Sequence, residues 1–151
     1  MENPRTAPTA RFPVPKYIPK NILYLERSAF LDQDQITGMD IYQEFISKVK
    51  SDVYILAHVT SPFISDKSIK LGIDAVKNNN YDSSFSVKEE KTFAWYHNMP
   101  LNYELNFIPR TQILDSLFLE TSAFYIFKDD VIKSKRRIGK CWQSNGLGIG
   151  R

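Results

Sequence analysis

The 151-residue sequence has a single cysteine, Cys141, two histidines and six glycines, and three of those glycines fall in its last six residues. One cysteine excludes an internal disulfide framework. A chain with no bridge to protect is expected in the cytoplasm. There is no apolar run long enough to span a membrane, and no apolar segment near the start that reads as a signal peptide. The net charge of +3 is too small to point to nucleic acid. Neither a membrane nor nucleic acid is therefore an expected partner. No internal repeat is present, and the one basic cluster, "KSKRR" at 133–137, suits a solvated face.

What is present suits one globular domain: 42% hydrophobic residues and 25% charged ones. Five of the eight prolines lie in residues 1–20. Proline fixes φ and removes a backbone donor, so an extended segment is expected there. Residues 21–140 carry the regular patterns, and 141–151, "CWQSNGLGIGR", reads as an irregular tail. "NILYLE" at 21–26 predicts a short strand. Met39, Tyr42, Phe45, Ile46 and Val49 recur at spacings of three and four, which predicts a helix capped by Thr37 or Asp40. "DVYILA" at 52–57 is nearly continuous in apolar residues and reads as a strand covered on both faces. A second helix follows, capped by Ser65, with Ile69, Gly72, Ile73 and Val76 inward; "NNNYD" stops it.

Strands are expected over 83–90, 92–97 and 116–128, the last interrupted by polar Glu120, Thr121 and Ser122. "NMPLNYELN" reads as a turn or excursion, and "DDVIKS" as a helix start. Alternating helix and strand through 21–80 favours an α/β layered sheet, with antiparallel strands added later.

The loop "HVTSPF", residues 58–63, lies just beyond the carboxyl end of the 52–57 strand, where open α/β sheets bind ligands. Thr60 and Ser61 offer hydroxyl donors and acceptors, and Pro62 stiffens the turn. The same residues also suit a plain strand–helix turn, with His58 as a structural hydrogen-bonding group.

Four stretches, in order, resemble the acylneuraminate cytidylyltransferase family. They are "YLERSAFLDQDQ", "DVYILAHVTSPFISDKSIKLGI", "YDSSFSVKEEKTFAWY" with its D-S-x-x-S-V pattern, and "IPRTQILDSLFLETSAFYIF". "RRIGK" recurs after the last. "HVTSP" matches the His-x-Thr-x-Pro loop of some members. It argues against the related enzymes for an eight-carbon sugar, whose loop is of Gln-Gly-Asp type.

The resemblance implies a three-layer α/β/α Rossmann-like nucleotidyltransferase sheet, mostly parallel with added antiparallel strands. It also implies transfer of CMP from CTP to an acidic sugar such as N-acetylneuraminate, with Mg²⁺ as cofactor. Arg110 and Gln112, in "PRTQ", would hold the sugar carboxylate, because the planar guanidinium can make two parallel bonds to it. Arg27 would face the nucleotide. His58, Thr60 and Ser61 would line the substrate loop. Thr121 stands where the family has asparagine.

The family's glycine-rich triphosphate loop has no counterpart in residues 1–20, and its Asp-x-Asp metal segment has none after "RRIGK". The expectation is a domain truncated at both ends, with impaired catalysis. The alternative is a non-catalytic binding or dimerisation fragment, with a homodimer formed through the excursion between 90 and 110. Asp32 and Asp34 read as solvated or capping residues rather than metal ligands.

Overall fold

The protein is described by a computed structural model over residues 19–78 and 81–139. Most of the proline-rich segment, the tail 141–151, and Asn79 and Asn80 of the helix stop lie outside the described residues. The chain divides into two compact units, one ending at Val49 and one beginning at Lys50.

In the first unit, a 3-10 turn at Ala29–Asp32 precedes helix α1, Gly38–Lys48. Of the two caps its sequence offers, Thr37 and Asp40, the helix takes Thr37. The Asp40 carboxylate accepts from the Thr37 backbone N–H at 2.8 Å and from its hydroxyl at 2.7 Å, which satisfies the entry to the first turn. A Glu44–Lys48 pair at 2.7 Å follows the helical i,i+4 rule. Of the predicted stripe, Ile46 is buried, Met39 and Tyr42 are half-buried, and Phe45 and Val49 are exposed. The strand expected over 21–26 does not form; Leu23 in its middle is almost fully exposed. An apolar run becomes a strand only where another strand accepts its hydrogen bonds.

The second unit holds β1 (Val53–Ala57), α2 (Asp66–Asn78), β2 (Ser83–Glu90), β3 (Trp95–Tyr96), β4 (Met99–Pro100), β5 (Leu117–Lys128) and α3 (Asp129–Lys133). Among the described residues, β1, β5 and β2 form a three-stranded sheet in that order, with both pairings antiparallel. This corrects the expectation of a mostly parallel sheet. β1 and β2 run the same way, joined by the α2 crossover, but β5 lies between them, which makes a split βαβ arrangement.

The reason is burial. Phe124, Tyr125, Ile126 and Phe127 are all buried, and four consecutive apolar residues need cover on both faces of a central strand. β1, the predicted doubly covered strand, is instead an edge strand of this sheet with Ile55 half-exposed.

α2 covers one face. Val76, Phe124 and Ile126 form the centre of a core to which Val53, Ile64, Ile69 and Ile73 add, as the inward positions of the helix predict. Gly72 permits the close approach, since a Cβ there would lie 2.7 Å from Ile126 Cδ1 and 3.0 Å from Ser84 Oγ. Ser65 caps the helix, accepting from Ser68 N–H at 3.1 Å. On the other face, Tyr54 stacks on Phe127 and Phe85 on Tyr125. The strand predicted over 92–97 shortens to the two residues of β3. His97 and Asn98, both at positive φ, turn the chain back into β4.

Candidate functional site

The ladder between β2 and β5 is interrupted at one place. Phe85 faces Tyr125 and Val87 faces Glu120, so β2 advances two residues while β5 advances five. The surplus falls at Thr121–Ala123, with Ser122 in the left-handed region at φ 56. Such a bulge bends a strand and re-aims its side chains. It leaves backbone donors out of the ladder, and Ser86 takes them up. Its Oγ accepts from Ala123 N–H at 3.0 Å and Phe124 N–H at 3.1 Å, and lies 2.8 Å from Thr121 Oγ1.

Beside the bulge opens a cleft of about 660 Å³. Its walls come from the loop after β1 (Ser61, Phe63, Ile64), the start of α2 (Ser65, Ser68), Ser86 to Glu89 of β2 with Lys91 beyond it, and Thr121, Ala123 and Phe124 of β5. The lining mixes an apolar floor with hydroxyls, the pattern of a small-molecule site. Its rim is charged but organised: Lys88 pairs with Glu90 at 2.5 Å, Ser116 donates to Glu89 at 2.6 Å, and Lys91 donates to the Gln112 carbonyl at 3.3 Å.

Of the residues singled out in the sequence, Ser61 and Thr121 line this cleft. Thr60 lies exposed in the adjoining loop. His58 extends the β1–β5 pairing through its backbone N–H to Ala123 O at 3.1 Å. Its ring lies edge-on to Tyr125, and its Nε2 is buried with no hydrogen-bond partner among the described residues. Arg110 and Gln112 do not line the cleft. Arg110 is exposed at the start of the 3-10 turn Thr111–Ile113, and Gln112 reaches the rim only through the Lys91 contact with its carbonyl. Arg27 belongs to the first unit, where it pairs with Asp32.

Ser86, Ser68, Lys88 and Lys91 were not singled out from the sequence. The signal was there in "SSFSV", where a buried strand carries serines at alternate positions.

The bulge also turns Glu120 toward Tyr125. The fully buried tyrosine donates to the Glu120 carboxylate and lies 3.0 Å from Ser122 Oγ. Arg137 donates to the same carboxylate at 2.9 Å and lies over the tyrosine ring. Burial, and then the bond to Glu120, raise the Tyr125 pKa above the ordinary tyrosine value. Among the described residues no group of three or more His, Cys, Asp or Glu side chains is placed to hold a metal ion. No helix among them is long and apolar enough to cross a membrane.

No protein-family profile matches the chain. It is similar to the N-acylneuraminate cytidylyltransferase of Oncorhynchus mykiss, 27% identical over 124 residues that cover 76% of this chain and 28% of the relative. It is also similar to N-acylneuraminate cytidylyltransferase A of Danio rerio, 26% identical over 118 residues, 72% of this chain and 27% of the relative. The two matches support the acylneuraminate cytidylyltransferase family for this chain, as a distant relative. The chain spans little more than a quarter of the length of these curated relatives.

Proposed function

We propose that this chain is a substrate-binding core of the cytidylyltransferase type, whose reaction transfers CMP from CTP to an acidic sugar such as N-acetylneuraminate and releases pyrophosphate. One observation carries the reading. Three separated segments that hold the family resemblance, 52–73, 81–96 and 108–127, converge on one cleft beyond the carboxyl end of β1. The hydroxyls of Ser61, Ser65, Ser68 and Thr121 suit sugar or phosphate oxygens. Lys88 is paired with Glu90 and Glu89 lies beside it, so Lys91, which donates to the Gln112 carbonyl, is the rim cation proposed to meet an anionic ligand. Arg110 and Gln112, which do not line the cleft walls, remain the proposed carboxylate contacts, and His58 and Thr60 lie in the loop after β1. The split β1–α2–β2 unit is compatible with a Rossmann-like nucleotidyltransferase sheet.

Turnover by this chain alone is proposed to be impaired, as it spans little more than a quarter of the length of the curated relatives. The test is calorimetric titration with CMP, CTP and CMP-N-acetylneuraminate, beside pyrophosphate release with CTP, Mg²⁺ and N-acetylneuraminate. Binding that weakens in Arg110→Ala, with little or no release, is the expected result. A folded chain that binds none of the three nucleotides overturns the proposal.

A second reading, a dimerisation fragment without catalysis, is favoured by a different surface. Trp95, Tyr96, Met99, Leu101, Phe107 and Ile108 are each more than half exposed, and apolar groups gathered in so short a segment suit an interface. Sedimentation of the chain and of Trp95→Glu decides it: a dimer that the substitution dissociates supports this reading, and a monomer at all concentrations sinks it.

A further inference from the structure

Ser84 and Ser86 present a controlled contrast within one strand. Both are buried to the same extent, each 8% exposed. Ser84 donates to the Gly72 carbonyl of α2 at 3.0 Å, a helix-to-sheet contact. Ser86 instead sits opposite the β5 bulge, where one hydroxyl meets two backbone N–H groups and the Thr121 hydroxyl.

We infer that Ser86 is a positioning residue. Its hydroxyl holds the β5 bulge in the shape that presents Thr121 and the 121–124 backbone to the cleft. This rests on the proposed nucleotide-sugar reading for what the cleft binds, though not for the bulge itself. The physical case is one of satisfaction. A bulge leaves ladder groups unpaired, and a buried backbone N–H without an acceptor is unfavourable enough to be rare. Ala123 and Phe124 have such donors, and Ser86 Oγ is the acceptor within 3.1 Å of both.

The same hydroxyl network sets what Thr121 can offer. Thr121 Oγ1 lies 2.8 Å from Ser86 Oγ and 3.2 Å from the Ser86 carbonyl. A carbonyl can only accept, so the Thr121 proton is directed to the Ser86 carbonyl, since the two lone pairs of Ser86 Oγ take the Ala123 and Phe124 N–H groups, and Thr121 is left to accept on its cleft side. The cleft at this point then favours a ligand group that donates, such as a sugar hydroxyl or amide N–H.

The experiment compares wild type with Ser86→Ala, Ser86→Cys, Ser86→Thr and Ser84→Ala. Amide hydrogen exchange at Ala123 and Phe124 is read beside titration with CMP-N-acetylneuraminate. Removing the acceptor is expected to speed exchange at both amides about tenfold and to weaken binding about tenfold, in Ala or Cys. Ser86→Thr, which keeps the hydroxyl, is expected to restore both. Ser84→Ala is expected to lower the melting temperature with the two amides and the affinity unchanged.

Exchange in Ser86→Ala or Ser86→Cys no faster than in Ser84→Ala overturns the inference. So does faster exchange with unchanged affinity, since the bulge would then not shape the cleft. Faster exchange in a chain whose wild type binds no nucleotide leaves the bulge assignment supported and overturns the proposed function alone. Ser86→Cys decides the matter should Ser86→Ala fail to fold.

Discussion

The two halves of β5 share one strand and the same neighbour, β2, yet they have opposite surroundings. From Leu117 to Glu120 the strand is largely exposed, with Leu119 half in solvent; from Phe124 to Phe127 every side chain is buried. The bulge at Thr121–Ala123 divides them, and the cleft opens beside it. Residue type does not account for the difference, since "LFL" is as apolar as "FYIF". Cover does. α2 and its core pack on the second half, and Phe85, Tyr54 and Phe127 layer the opposite face. The site lies where packing stops, so it has rigid walls on one side and open space on the other.

Substitutions can test that contrast. The largest effect is expected from Ile126→Ala. Its side chain is fully buried against Val76 and Phe124, and its removal should cost about 3 to 4 kcal/mol in denaturant unfolding. A loss under 1 kcal/mol would mean the second half is not the packed one.

Next comes Tyr125→Phe, which removes the hydroxyl that donates to Glu120 while keeping the ring under Arg137, and should cost about 1 to 2 kcal/mol. It carries a pH signature as well. The Tyr125 pKa is raised in the folded chain, so its contribution is fully present below the unfolded tyrosine value of about 10. That contribution is lost as pH rises from there through the folded value. Stability profiles from neutral to alkaline pH should flatten in the variant, and an unchanged slope would contradict the assignment.

Gly72→Ala is expected to cost about 1 kcal/mol net. Overpacking against Ile126 and Ser84 works against it, and the better helix propensity of alanine, worth about 1 kcal/mol, works for it. A stabilised variant would show that α2 can back away from the sheet. The smallest effect should come from Leu119→Ala on the exposed half, within about 0.5 kcal/mol. A large loss there would show that something covers this half in solution.

Much of the second unit was legible in the residues. The serine cap and inward stripe of α2, the bounds of β2 and the polar interruption in β5 were all visible as local patterns, because caps and periodicity act over a few residues. "NILYLE" and "DVYILA" were not resolved by such patterns. Both are apolar runs, but one finds no strand partner among the described residues and the other sits at the edge of the sheet. Apolar runs report the capacity to be buried rather than its location. The site was legible in the same uneven way. Ser61 and Thr121, named from loop chemistry and resemblance, line the cleft, whereas Ser86 was hidden in a strand because its contacts depend on a bulge 35 residues away.

By itself the sequence determined where helices α1 and α2 begin, which segments form β2 and β5, and which family the chain resembles. Each of these depends on neighbouring residues or on motifs in order. Only the tertiary structure decided that β5 would lie between β1 and β2, that the sheet would be antiparallel, and that a single buried hydroxyl would hold the bulge beside the cleft. Those outcomes follow from competition among distant segments for cover and for hydrogen-bond partners, which no local pattern encodes.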